Sequence, residues 1–122
     1  MAIHMASEVT LFDKIVAGDI PCTKVYEDDT ALAFRDIAPA APTHVVIVPK
    51  DRAGLTHLHK MSKEHKALVG HLMWVASEVA RQEGLVEDGY RIVINDGENA
   101  GQTVFHLHIH VIGGRTLTWP PG

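Results

Sequence analysis

Apolar and polar positions change period several times along the chain, and each change predicts an element. Residues 105–112, Phe105-His106-Leu107-His108-Ile109-His110-Val111-Ile112, alternate without a fault. Period-two alternation predicts a strand with an apolar face and, opposite it, a face of three imidazoles. Residues 44–48 open with His44 and continue as Val45, Val46, Ile47 and Val48. This β-branched run, bounded by prolines, predicts a well-buried strand. Two shorter strands, Lys24–Glu27 and Ala31–Arg35, are expected to fold about Asp28-Asp29, and residues 90–95 form a further β-branched segment. Leu68, Leu72, Val75 and Val79 recur at helical spacing behind Ser62, a candidate N-cap, with Gly84 just past the end. They predict the one long helix. Thr10-Leu11-Phe12-Asp13 has the form of a capping box and Gly18 supplies a stop, which together predict a short helix.

Between these elements the punctuation is plain. Pro39 and Pro42 break regular structure and hold the residues before them extended. Residues 96–103 form a polar loop with Gly97 and Gly101, of a kind that turns backbone N–H groups toward an anion. Gly113-Gly114 ends the last strand, and the tail closes with Trp119-Pro120-Pro121-Gly122. Residues 1–7, His4 among them, have no periodicity and carry a second Met at position 5, so they read as an expression scar. Residues 8–122 are then expected to form a single domain without repeats or linkers. About five strands and two helices, with the helices separated in sequence from mostly adjacent strands, predict an α+β fold with a largely antiparallel sheet.

Composition narrows the possible partners. A chain of 122 residues with 46% hydrophobic content has enough apolar material for one core. A formal charge of −4 argues against gripping nucleic acid or anionic membrane by bulk electrostatics, so neither is expected as a partner. Any phosphate must be held locally. Cys22, the single cysteine, makes no internal disulfide and no cysteine-rich zinc site. With no apolar run near the ~20 residues of a membrane span and no signal peptide, a cytoplasmic setting is expected, and a nuclear one as well in a eukaryote.

The surplus is histidine, nine in all. His57, His59, His65 and His71 read as surface or helix-face residues. The three alternating rings, roughly 6.5 to 7 Å apart along a strand, form a row, and two chemistries compete for it. One is a metal site, in which His-x-His presents two imidazoles and His110 or His44 supplies a third, with zinc-bound water as nucleophile. Against it, the strand carries no Asp, Glu or Cys. The other is attack by imidazole on phosphorus, since a ring with an ordinary pKa of ~6.5 keeps a neutral nitrogen at neutral pH while its neighbours stabilise charge.

His106-Leu107-His108-Ile109-His110-Val111-Ile112 resembles the His-φ-His-φ-His-φ-φ signature of the histidine triad (HIT) superfamily, where φ is apolar. The likeness extends from about Thr10 to Gly122 through Ala33-Phe34-Arg35-Asp36-Ile37-Ala38-Pro39, Ala41-Pro42-Thr43-His44, Val48-Pro49-Lys50 and Gly113-Gly114-Arg115. With the terminal Trp119-Pro120-Pro121-Gly122, the chain is similar to the HINT branch, the histidine triad nucleotide-binding proteins.

The resemblance implies a HIT-like fold and a homodimer whose sheets join across the interface. It also implies a metal-independent enzyme, without cofactor, that binds purine nucleoside monophosphates and hydrolyses nucleoside 5′-phosphoramidates. By position, His108 would be the nucleophile that becomes nucleotidylated, His110 would contact the phosphate, and His106 and His44 would complete the cluster. Asp36 would take the ribose hydroxyls. Phe12, Ile15, Ile20, Phe34 and Ile37 would wall the base pocket. Asn95, Gly101, Gln102 and Thr103 would meet phosphate and ribose, and Trp119 would lie near this site or the partner's. Thr103 stands where the family often has Ser, Arg35 where His is common and Ala100 where Gly is common, which bears on substrate preference. Two other classes stay open: a nucleotide-binding scaffold with residual activity, and a His-ligated metalloenzyme.

Overall fold

Thr10 begins the first helix as its sequence predicts. Its hydroxyl accepts the Asp13 N–H while the Asp13 carboxylate accepts the Thr10 N–H at 2.8 Å, and Gly18 ends the helix in the left-handed region at φ 85°. The computed structural model describes residues 8–122; the supposed scar, residues 1–7, lies outside the described residues. Along the chain come α1 (Leu11–Ala17), β1 (Lys24–Glu27), β2 (Ala31–Arg35), β3 (Thr43–Pro49), α2 (Lys66–Gln82), β4 (Tyr90–Val93) and β5 (Ile109–Gly113). Three 3₁₀ turns interrupt the connections, at Leu58–Lys60, Lys63–His65 and Glu98–Ala100.

All strand pairs are antiparallel, and the five-stranded sheet runs β1-β2-β3-β5-β4. The fold is the α+β arrangement expected. Central β3 is buried on both faces, which is why its apolar residues run without alternation. Val45 and Ile47 join Ile109, Val111 and Leu107 under Leu72, Val75 and Val79 of α2. On the opposite face Val46 and Val48 join Leu32 and Phe34 beneath Phe12 and Ile15 of α1. Each such side chain contributes roughly 1.5–3 kcal/mol by leaving water. The short helix covers only the β2–β3 corner, so the rest of its face stays open across β3, β5 and β4.

Three boundaries differ from the sequence reading. The last strand begins at Ile109 rather than at 105, so His106 and His108 precede the ladder and only His110 lies in it. In the β3–β5 register Ile47 faces Ile109, and two residues further Leu107 would face Pro49. Proline has no N–H to donate there. The chain is held instead by Leu107 N–H on the Leu55 carbonyl at 2.8 Å and by His106 Nε2–H on the Pro49 carbonyl at 3.0 Å. Alternation survives without the ladder: Leu107, Ile109 and Val111 still face the main core. Likewise β4 stops at Val93, short of residue 95. Ser62 caps a 3₁₀ turn, its N–H on His65 Nδ1 at 3.0 Å, and α2 proper starts at Lys66.

Candidate active site

Register brings the histidines together. His110 on β5 faces Val46 on β3, and His44 faces Ile112, so His44, Val46, His110 and Ile112 share the open face of the sheet. His108 and His110 have ring centroids 5.0 Å apart, and His44 and His110 are 5.1 Å apart. Phe12 of α1 meets His108 edge-on at 4.8 Å and His106 at 5.9 Å.

Hydrogen-bond partners assign the tautomer of every ring. His108 lies 2.7 Å from the His106 carbonyl through Nδ1. A carbonyl only accepts, so Nδ1 carries the proton and Nε2 keeps a bare lone pair. His106, with no exposed surface, donates from Nε2 to Pro49, and its Nδ1 lies 3.1 Å from the Thr10 hydroxyl and 3.4 Å from Asp13. Ala40 N–H donates to His44 Nδ1 at 3.0 Å, which leaves the His44 proton on Nε2. From there it is donated to His110 Nδ1 at 2.8 Å, so the His110 proton sits on Nε2. A main-chain N–H thus sets two rings in sequence.

Burial holds all three triad histidines below the ordinary imidazole range. Desolvation dominates at His106, opposed by the Pro49 carbonyl and by Asp13. It dominates at His108, opposed by the His106 carbonyl and Asp36. Desolvation with the neighbouring His108 and His44 takes His110 down to about 4. At neutral pH the row is uncharged, and His108 Nε2 is a free nucleophile.

The rings open into a cavity of about 330 Å³. His108, His110, Asp36, Asn95, Gly101 and Thr103 supply its polar wall, and Phe12, Ile15, Ile20, Phe34 and Ile37 much of its apolar one. Ile37 is 97% exposed and stands at the rim. Asp36 accepts the Ala38 N–H on Oδ1 at 2.8 Å and holds Oδ2 3.5 Å from His44 Nε2. Leu11, Pro21, Cys22, Val46 and Val104 also line the cavity. Sequence reasoning missed them, although Val46 follows from strand period once His44 is placed.

Four of the residues singled out do not line the cavity, although His44 and His106 complete the histidine cluster as expected. His44 stands behind His110 and His106 behind His108, both buried. Gln102 is turned inward: its carboxamide donates to the Thr56 and Val104 carbonyls and accepts the Gly97 N–H, and its own N–H meets the Gly97 carbonyl. It staples the loop. The N–H groups of Gly97, Gly101 and Gln102 are all spent internally, so the expected anion nest does not form from them. Trp119 is 80% exposed, away from the cavity, with the Arg91 guanidinium 6.0 Å from its ring centre. Arg35 borders the cavity, but its guanidinium pairs with Glu83, at the end of α2, at 2.6 Å.

A bare imidazole nitrogen over the open face of an antiparallel sheet, flanked by a second imidazole and an apolar pocket, defines the histidine-triad class of fold and site. Residues 17–117 match the HIT domain family, and the chain belongs to it. The "14 kDa zinc-binding protein" of Zea mays is 57% identical over 113 residues, 93% of this chain and 88% of the relative. The protein named adenylylsulfatase HINT1 in Arabidopsis thaliana is 54% identical over 122 residues, 100% of this chain and 82% of that protein, in keeping with the HINT branch. The crystal structure of a HIT family hydrolase from Legionella pneumophila Philadelphia 1 superposes with a TM-score of 0.88 at 46% identity, covering 92% of this chain and 98% of that one.

Proposed function

We propose that this HIT family hydrolase cleaves purine nucleoside 5′-phosphoramidates through a covalent nucleotidyl-histidine on His108. The observation that carries the reading is the His108 tautomer: Nδ1–H fixed on a main-chain carbonyl and Nε2 bare in a cavity with one apolar end and one carboxylate. The base would sit against Phe12, Ile15 and Phe34, and Asp36 would accept from the ribose hydroxyls.

In the first step the Nε2 lone pair bonds to phosphorus and the P–N bond breaks. The amine leaves with the electron pair and takes a proton from water, directly or through the Thr103 hydroxyl. The ring is then an imidazolium whose Nδ1–H stays on the His106 carbonyl, with Asp36 offsetting its charge. His110 Nε2–H and Asn95 stabilise the phosphoryl oxygens. Water then adds to phosphorus, the P–Nε2 bond breaks, the lone pair returns to His108, and a proton goes to solvent with release of the nucleoside monophosphate.

His108→Ala is expected to lower kcat at least about 10³-fold, and acid-quenched wild type with radiolabelled substrate to retain label on His108. Full activity in the variant, or no trapped adduct, would overturn the mechanism. The free edge of β4 and the exposed Trp74 and Met73 of α2 support the further proposal of a homodimer, checked by sedimentation equilibrium.

A second reading has its own observation. Ligand atoms of Asp36, His44 and His110 lie within 4.8 Å of one another, and two similar proteins carry "zinc-binding" in their names. The donor types suit Zn²⁺, but the spacing does not. Two imidazole nitrogens on one tetrahedral zinc at ~2.0–2.1 Å stand roughly 3.3–3.4 Å apart, whereas His44 Nε2 and His110 Nδ1 are 2.8 Å apart. The pair is spaced for a shared proton. Activity surviving exhaustive chelation favours the metal-free reading, and loss restored by zinc would reverse it.

A further inference from the structure

One buried charge has no part in the chemistry described so far. Arg52, in the loop after β3, is only 6% exposed, and a guanidinium keeps its charge at any working pH. Taking such a group out of water is costly unless it is paired and hydrogen-bonded. Its carbonyl partners lie on the two segments that enclose His106. One N–H donates to the Phe105 carbonyl at 2.9 Å, immediately before His106, and another to the Glu8 carbonyl, just before the Thr10 cap. Its carboxylate partner is Asp13 of α1, with Nη1 3.7 Å from Oδ2.

That carboxylate stands near a second ring nitrogen. Asp13 Oδ1 lies 3.4 Å from His106 Nδ1. The His106 Nε2–H is committed to the Pro49 carbonyl at 3.0 Å, so Nδ1, facing the Thr10 hydroxyl at 3.1 Å, is the one place for a second proton. A proton arriving there would make an imidazolium paired with Asp13. The groups that face the ring are Thr10 and Asp13 from α1 and its cap, Pro49 from β3, Arg52 from the loop after it and His108 from its own segment. Burial is the largest influence and keeps the ring neutral; the Pro49 carbonyl and Asp13 favour the cation, and Arg52 and His108 oppose it.

The charge on His106 matters to the nucleophile. Its carbonyl holds the His108 Nδ1–H at 2.7 Å, and Phe12 packs edge-on against both rings. Attack on phosphorus turns His108 into a cation, and a second cation two residues before it would oppose that change. We propose that Arg52 is a positioning residue: it occupies the Asp13 carboxylate and ties down the Glu8 and Phe105 main chain, so that His106 stays neutral while charge develops on His108. The inference rests on the proposed attack by His108 and adds a residue that does not line the cavity.

In Arg52→Gln the side chain keeps a donor for the Phe105 carbonyl and loses the charge. The readout is kcat/KM for adenosine 5′-phosphoramidate between about pH 4.5 and 9, whose shape is independent of the fraction of enzyme folded. The acid limb is expected to move up by about one unit, a roughly tenfold loss at a pH on the limb, with the alkaline plateau kept within about threefold. Arg52→Lys restores the charge and should return the limb to its wild-type place. An unmoved limb in Arg52→Gln, with or without a lower plateau, makes Arg52 a brace for the fold alone and overturns the proposal; so does an equal displacement in Arg52→Lys. Should Arg52→Gln fail to fold, imidazole ¹⁵N NMR of Asp13→Asn decides. With the carboxylate gone and Arg52 left in place, the His106 midpoint should fall by at least about half a unit; an unchanged midpoint overturns the proposal. A wild type that turns over no phosphoramidate removes the hydrolase reading, whereas a wild type that is active with an unmoved limb in Arg52→Gln removes only the role of Arg52.

Discussion

One carbonyl oxygen, that of His106, decides which nitrogen of His108 is reactive, and no substitution of the His106 side chain removes it. Side chains govern the other groups. Asp36→Asn keeps the size and one oxygen but loses the charge beside His44 and the second acceptor. If Asp36 takes the ribose as proposed, the change is expected to raise KM for the proposed nucleoside substrate roughly tenfold with a smaller change in kcat, since such a contact would be made equally in ground and transition states; steady-state kinetics with the two constants separated checks it. Gln102→Leu would leave the Thr56 and Val104 carbonyls and the Gly97 N–H unpaired in a buried position. The expected cost is about 2–4 kcal/mol in urea unfolding, with activity falling as the loop loosens. At this scale the sequence is legible for identity and facing: alternation puts all three imidazoles on one side. It is blind to tautomer, because the Ala40 N–H and the His106 and Pro49 carbonyls have no signature in residue type. It misreads Gln102 for the same reason, since a polar residue beside a glycine looks alike whether it meets a ligand or its own loop.

Elements carry their errors at the ends. The Thr10–Asp13 box, the Gly18 stop and the β3 run are all where the sequence puts them, because each depends on neighbours a few residues apart. The last strand starts late because of Pro49, more than fifty residues upstream, whose missing N–H interrupts a pairing that only the tertiary register creates. The α1 cap has a second task that local pattern does not reveal: its Thr10 hydroxyl and Asp13 carboxylate also face His106 Nδ1. For Asp13, burial works to raise the pKa, but the Thr10 N–H, His106 and Arg52 outweigh it and hold the carboxyl below its usual value. Thr10→Ala is therefore expected to cost about 1 kcal/mol as a lost cap, and also to lower kcat as His106, whose carbonyl holds the proposed nucleophile His108, loses the Thr10 hydroxyl. Thermal unfolding with activity measured well below the transition separates the two effects, and Thr10→Ser should restore both.

For the whole molecule, the buried imidazoles link stability to pH. The unfolded chain titrates its histidines near ~6.5, while burial lowers all three in the native state, His110 down to about 4. Between those values the unfolded form binds more protons. Stability is thus fully present above about pH 6.5 and is lost as pH falls toward 4. Urea midpoints measured across that window should decline steadily with acid; a flat profile would contradict the burial argument. The acid limb of kcat/KM should likewise lie below the ordinary histidine value, because His108 stays neutral to lower pH.

The two sides of the sheet also have different helices over them, α2 along one and short α1 at a corner of the other. Most of the buried hydrocarbon belongs to the α2 side, and the imidazoles, Asp36 and the cavity belong to the other. Substitutions on opposite sides of one sheet share few partners, so their energetic effects should nearly add. A lineage can therefore exchange residues around the cavity, changing what the enzyme accepts, while its folding reserve is kept up independently behind the strands.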